Sequence, residues 1–338
     1  DILLTTPAVS VLKKTFPQAT INFLVYPEYA AILEGNPDID NIVRFPKCRP
    51  WTLPSLLRKN YDWAIDFLCS GASAWACLLS DAPVRIAYDN TYPALIHNVK
   101  LPRPKEAMYA ATHRLKLLEG LFGLMEAPPS VTWPATPKPT IFPDERAIAH
   151  WQTQLARTGP LVMMSPQSLR ATRRFSPQGF AWVARQLAQK HQARVLCLWG
   201  PGERPAAEAV VRLANDPKVN VAPEFTTIGN LAAALKSAKC LITNCNGARH
   251  VAVAMGTPTV TIHMSSDPIA WNPPNPEGTG FHPNHPIVRA EDLWCLACQR
   301  NTCPYDLECS SMIDPAKVLT ATERLCGLGS FVFRPLNG

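Results

Sequence analysis

The stretch from Lys239 to Met264, KCLITNCNGARHVAVAMGTPTVTIHM, constrains the fold of this chain more than any other. Cys240 to Thr243 is a short apolar run, Asn244 to Gly247 is turn chemistry, and Ala248 to Met255 is small and helix-forming. Gly256, Thr257 and Pro258 stop that helix, and Thr259 to Ile262 is β-branched throughout. The order is strand, tight turn, helix, strand, the repeating unit of a parallel sheet. A glycine at a strand-to-helix turn lets backbone approach a ligand, and the free N–H groups of the first helical turn favour an anion there. Such turns as often merely connect elements, so the neighbouring loops decide.

The same alternation runs along the whole chain. The pattern predicts helices at 7–16, 28–34, 54–59, 73–79 and 111–122, with strands at 21–26, 39–45, 61–68 and 84–88. Thr5 or Thr6 is suited to cap the first helix, and Pro7 to occupy its first turn. Residues 123–143 carry six prolines (128, 129, 134, 137, 139 and 143) and read as a stiff linker. Alternation then resumes, with helices at 145–157, 178–189, 205–214, 228–237 and 315–325 and strands at 161–165, 194–199 and 219–222, before and around the stretch above. Residues 267–286 read as a proline-rich loop. The expectation is an α/β chain of two Rossmann-like doubly wound domains, 1–135 and 136–338, facing a crevice, with ligands outside the carboxyl ends of the strands. A first strand of the N-terminal domain is expected upstream of Asp1, which is not a start methionine.

Composition narrows the partners. At 338 residues, two domains of roughly 150 suit the chain better than one core. With 47% hydrophobic and 17% charged residues it is neither disordered nor collagen-like, and no apolar run approaches the ~18–20 residues that span a bilayer. A formal charge of +7 points to acidic partners such as a phosphorylated substrate, an anionic membrane surface or nucleic acid. Arg170, Arg173 and Arg174 are basic but lack the interleaved aromatic platform of a nucleic-acid reader, so no nucleic-acid partner is expected.

Four loops at strand carboxyl ends carry chemistry suited to a nucleotide diphosphate. Ser165 to Phe175 sets hydroxyls (Ser168 among them) and three arginines between a strand and a helix, a phosphate-holding mixture or a solvated basic loop. Gly200-Pro201-Gly202-Glu203 offers a carboxylate after a glycine turn, for ribose hydroxyls or for helix capping. Glu224 to Thr227 is suited to wall a base, or is simply a loop. Asn246-Gly247 is followed by His250, which packs in the protein or faces the candidate anion site.

Taken together these loops resemble family 9 glycosyltransferases, the ADP-heptose:lipopolysaccharide heptosyltransferases. Asp1-Ile2-Leu3-Leu4-Thr5-Thr6-Pro7-Ala8 is similar to the end of the family's opening "GD-hydrophobic-hydrophobic-x-T-x-P-A/S" motif. Thr172-Arg173-Arg174-Phe175-Ser176-Pro177 resembles its basic "K-x-W-P" segment, and Leu198 to Glu203 its "G-x-x-E" turn. Asn244 to Pro258 resembles "N-D-S/T-G-x-x-H-x-A-A-A-x-G-x-P". The resemblance implies the two-domain glycosyltransferase B fold, with the last helix packing back toward the N-terminal domain. It implies inverting transfer of heptose from ADP-heptose to the lipopolysaccharide inner core, on a lipid A/Kdo-type acceptor. No cofactor would be required. Asp1 takes the position of the family's base and Arg173 that of its lysine; both are the candidate catalytic residues. The donor-binding candidates are Ser168, Arg170, Glu203, Thr226, Cys245, Asn246, Gly247 and His250. Departures are Cys245 for an aspartate, Asn246 for a hydroxyl residue and Phe175 for a tryptophan. A cytoplasmic enzyme, weakly associated with the inner membrane surface, follows; Lys100, Arg103, Lys105, Arg114 and Lys116 are candidates to meet anionic groups. The competing readings are a transferase with a different donor, an epimerase or phosphorylase on the same fold, and a non-catalytic binding protein.

Four of the eleven cysteines form a separate constellation, Cys295-x2-Cys298-x4-Cys303-x5-Cys309. The spacing is compatible with structural zinc, an iron–sulfur cluster, disulfides or reduced thiols. The other seven sit mostly among apolar or small residues, as packed thiols do.

Overall fold

The computed structural model describes residues 1–47, 50–57, 61–89, 96–225 and 227–328. It divides into two compact units: Asp1–Asp144 with Pro276–Gly278, and Glu145–Asn275 with Thr279–Gly338. Among the described residues no helix is long and apolar enough to cross a membrane.

In the first unit the elements are α1 (Thr6–Thr15), β1 (Asn22–Val25), β2 (Asn41–Arg44), α2 (Leu53–Leu56), β3 (Trp63–Ile65), α3 (Gly71–Leu79), β4 (Val84–Tyr88), β5 (Val99–Leu101) and α4 (Ala110–Gly123). All pairings are parallel, but the strands form two separate sheets, β1-β2 and β3-β4-β5. A cavity of about 1250 Å³ is lined by residues of both, including Asn22 to Leu24 and Trp63 to Ile65. The core clusters Ala8, Ile86, Leu117 and Leu118 between α1, β4 and α4.

Several local expectations are corrected here. Neither Thr5 nor Thr6 caps α1: Leu3–Thr5 is already a 3-10 turn running into the helix, and Thr6 Oγ1 donates instead to the Leu3 carbonyl at 2.8 Å. The segment 28–34 is 3-10 rather than α-helical, at Pro27–Ile32. Residues 123–143 are no free linker. Val131 and Trp133 pack on the unit's core, and the Thr140 N–H donates to Thr6 Oγ1 at 2.9 Å. The compact units divide after Asp144. Arg114 is no surface charge but is buried.

The second unit continues with α5 (Glu145–Leu155), β6 (Leu161–Ser165), α6 (Pro177–His191), β7 (Arg194–Cys197), α7 (Arg204–Ala214), β8 (Val219–Val221), α8 (Ile228–Leu235), β9 (Cys240–Asn244), α9 (Gly247–Met255), β10 (Thr259–Ile262), α10 (Pro268–Trp271), β11 (Ile287–Val288), α11 (Glu308–Ser311) and α12 (Pro315–Cys326). Its six strands make one parallel sheet in the order β11-β10-β9-β6-β7-β8. β6, β9 and β10 are buried along their whole length, which is why they read as unbroken apolar or β-branched runs rather than alternating ones. Val162, Met164, Val195, Ile242 and Val260 meet Phe180, Val183 and Leu187 of α6 on one face. The helix α12 packs on α6 and on β9 to β11. The strand order sets the carboxyl ends of β9, β6 and β7 side by side, so three of the four polar loops emerge as neighbours.

Candidate active site

Each loop is positioned by local chemistry. α9 begins because the Asn246 side chain accepts from the Arg249 N–H at 3.2 Å, and it ends where Gly256 takes a left-handed φ of 75°. α6 begins on Ser176, whose Oγ accepts from the Gly179 N–H at 3.1 Å, with Pro177 in its first turn. Phe175 is buried against Phe180, with ring centroids 5.4 Å apart. Gly179 is required there, because a Cβ would collide with the Phe175 ring. In the second loop the Glu203 carboxylate accepts from the Gly200 N–H at 3.0 Å and so closes its own turn.

The first and fourth loops are stitched together. Asn244 donates to the Pro166 carbonyl at 2.7 Å and accepts from the Phe175 N–H at 3.0 Å. Asn246 Nδ2 donates to Ser165 Oγ at 2.8 Å and to the Gln167 carbonyl at 2.7 Å, while its Oδ1 also accepts from Thr243 Oγ1 at 3.1 Å. Four contacts occupy the Asn246 side chain, so this position builds the frame and offers a ligand its backbone. Gly247 follows at the first turn of α9, and a Cβ there would meet nothing within 4 Å. That open space, beside N–H groups without an intrahelical partner, suits an anion.

Arg173 carries the electrostatics. Burial pulls its guanidinium pKa below the ordinary value, Cys245 opposes that, and Arg170 adds to it. Cys245 is therefore a close neighbour, and it is buried. Arg173 has no carboxylate partner among the described residues, and its buried Nε has no hydrogen-bond acceptor. Arg170 is exposed, and Ser168 is buried with its carbonyl accepting from Arg174 Nε at 2.6 Å. Thr226 lies outside the described residues.

Two residues not singled out in the sequence support this wall. Arg249, fully buried, donates from Nε to Thr261 Oγ1 at 3.0 Å and from its terminal nitrogens to the Trp271 carbonyl and Asn272 Oδ1. It fastens α10 over α9. Trp271 then lies with its ring 5.9 Å from that of His250, and its buried Nε1–H has no acceptor. The only advance signal was an arginine inside a helix of small residues. Nearby, burial and the charge of Arg249 push His263 down to about 3, and its Nδ1 pairs with Ser266 Oγ at 2.9 Å.

The remaining candidate, Asp1, belongs to the first unit. Its carboxylate, 58% exposed, accepts from an Arg114 terminal nitrogen at 2.9 Å. Arg114 Nε donates to Thr5 Oγ1 at 2.9 Å, so two bonds orient the pair. Burial lowers Arg114 to about 10, still cationic at neutral pH.

Among the described residues, the only trio whose candidate metal-ligand atoms lie within 4.8 Å of one another is Asp66, Cys77 and His97. Asp66 already accepts from the N–H groups of Leu68 at 3.0 Å and Cys69 at 2.7 Å, and burial pushes the Cys77 thiol to about 12. That is a capped turn against a neutral core thiol.

A continuous six-stranded parallel sheet with polar loops at its carboxyl ends defines a doubly wound α/β protein. Residues 52–308 match the family described as Glycosyltransferase family 9 (heptosyltransferase), and the chain belongs to that family. It is a glycosyltransferase. It is 22% identical over 288 residues to "Lipopolysaccharide heptosyltransferase 3" of Escherichia coli K12, covering 81% of this chain and 82% of that protein. Among solved structures it resembles a family 9 glycosyl transferase from Veillonella parvula, with a TM-score of 0.78, 20% identity, and 97% and 94% of the two chains covered. It also resembles the E. coli heptosyltransferase WaaC with ADP, at a TM-score of 0.70, 18% identity and 96% coverage of both chains. These likenesses establish the shared fold.

Proposed function

We propose that the chain transfers heptose, with inversion, from ADP-heptose to a hydroxyl of the lipopolysaccharide inner core. The observation that carries this reading is Arg173: a half-buried guanidinium without a carboxylate, in a loop stitched to the N-terminus of α9. The names of similar proteins, which pair heptosyl transfer with lipopolysaccharide and ADP, supply the substrates.

In this mechanism Asp1, oriented by Arg114, removes the proton of the acceptor hydroxyl. The resulting oxygen attacks the anomeric carbon from the face opposite the diphosphate, and the bond from that carbon to ADP breaks. Arg173 and the free N–H groups of α9 take up the charge on departing ADP, the usual electrostatic contribution to such a step. These groups make a catalytic metal unnecessary. Glu203 serves the ribose, and Gly247 permits close approach of the phosphates. The acceptor is a lipid, which places the work at the cytoplasmic face of the inner membrane.

The test is mass analysis after incubation with ADP-heptose and a heptose-free core acceptor. Addition of one heptose with release of ADP supports the reading; an unchanged acceptor contradicts it. A second reading, transfer of a different sugar from an ADP donor, is favoured by Cys245, a buried thiol at the family's aspartate position. A panel of ADP-sugars in the same assay separates the two.

A further inference from the structure

Cys295, Cys298, Cys303 and Cys309 all line one small cavity of about 190 Å³, together with Thr172 and Ser265. They differ from the packed thiols of the second unit. Cys197, Cys240 and Cys245 are buried, whereas Cys298 is exposed and its three companions are only half-buried. No two of the four are disulfide-bonded. Core packing therefore does not account for four thiols gathered around one space.

The backbone around them is held in conformations it does not favour. Of nine non-glycine residues with positive φ among the described residues, Ala297, Gln299, Asp306 and Leu307 fall in this loop. Such residues persist where the surroundings over-determine them. The Tyr305 N–H donates to Cys303 Sγ at 3.4 Å, so this sulfur already faces the loop's own backbone. The loop contains α11 as its only described regular element, and Leu293, Leu296 and Cys309 are only partly buried where they pack on the second unit's core.

We propose that these four cysteines bind one thiophilic divalent ion, zinc or ferrous iron, in a tetrahedral tetrathiolate site that clamps the loop against Thr172–Arg174. On loading, four S–H protons leave for solvent and four metal–sulfur bonds of about 2.3 Å form. No three of the sulfurs lie within 4.8 Å of one another, so loading draws them together. The loop is already latched at the required places. Thr172 Oγ1 donates to the Arg300 carbonyl at 2.8 Å, and Ser310 Oγ donates to the Arg174 carbonyl at 3.0 Å. The Ala297 and Gln299 N–H groups donate to the Met264 and Ser265 carbonyls at 3.2 and 2.6 Å. These bonds bracket Arg173, so the ion acts as a positioning device for the arginine at the donor site. This second half rests on the proposed function; the metal site itself does not.

The test uses the full chain purified anaerobically without chelator. Elemental analysis is expected to find about one zinc or iron per chain, which distinguishes the two ions, and cobalt substitution is expected to give sulfur-to-cobalt charge-transfer absorption. Cys298→Ser and Cys309→Ser are each expected to abolish stoichiometric metal, whereas Cys69→Ser retains it; Cys298 is exposed, so that variant separates metal loss from misfolding. Chelation is expected to weaken ADP binding several-fold. Absence of stoichiometric metal together with no cobalt–thiolate signal overturns the site, as does a mass deficit showing disulfides among the four. Equal ADP affinity with and without metal overturns the clamp. If neither form binds ADP while the metal persists, the failure belongs to the donor-site reading instead.

Discussion

The two α/β units use their polar side chains in opposite ways. In the second unit, Asn244, Asn246, Thr172 and Arg249 cross-link loops at one end of a continuous six-stranded sheet. In the first, the described strands form two sheets beside a cavity of about 1250 Å³, and the Asp1 carboxylate is held by Arg114. A site that must meet charge developing on a diphosphate gains from donors fixed in advance, because no reorganisation is then needed during the reaction. In the first unit the proposed base, Asp1, is 58% exposed and its carboxylate is held by one ion pair. On the proposed mechanism, the difference assigns preorganisation to the donor side and local freedom to the other.

The largest expected effect falls on the base. Asp1→Asn is expected to lower the transfer rate by about 10²–10⁴-fold while leaving ADP affinity unchanged. A matching loss of ADP affinity would erase the division of labour. Arg173→Ala is expected to weaken ADP binding by about 10- to 100-fold, the loss of charge-assisted hydrogen bonds, with folding stability retained. Arg249→Met would leave the Trp271 carbonyl and Asn272 Oδ1 without their donor, at about 1–3 kcal/mol each, and urea titration is expected to show that loss in the second unit.

Two glycines sharpen the same contrast on a smaller scale. Gly179→Ala forces a Cβ into the Phe175 ring and is expected to cost about 1–3 kcal/mol of stability. Gly247→Ala meets only open space, so it is expected to leave stability unchanged yet weaken ADP binding. Acid gives a further effect. His263 titrates near 3 in the fold, against about 6.5 unfolded, because burial disfavours its cation. Its contribution is complete above pH 6.5 and is lost as pH falls toward 3, since the unfolded chain then binds the extra proton. Urea unfolding across that range is expected to be less pH-dependent in His263→Gln.

Much of this was legible from residue patterns, and the exceptions share a cause. The second unit's strands announced themselves because full burial on both faces demands uninterrupted apolar or β-branched runs, as in Leu161–Ser165 and Thr259–Ile262. β5 passed unseen because Val99–Leu101 has three residues with a lysine at its centre, and β11 has only two, just after a proline-rich loop. Asn246 and Gly247 were placed at the anion-ready turn by local chemistry alone. Arg249, Trp271 and the Thr172–Arg300 latch were not, because their partners lie 12 to 128 residues away in sequence and only the fold joins them. Local pattern shows where a ligand is met; long-range contacts decide how firmly.

The central claim is that the loops around Arg173 and α9 form an ADP-selective diphosphate site. Calorimetric titration of ADP, UDP and GDP into the wild-type chain and its Arg173→Ala variant addresses it directly. The account predicts saturable binding of ADP in preference to the other two, weakened by about 10- to 100-fold in the variant. Absence of binding by any nucleotide, or equal ADP affinity in both proteins, would contradict it.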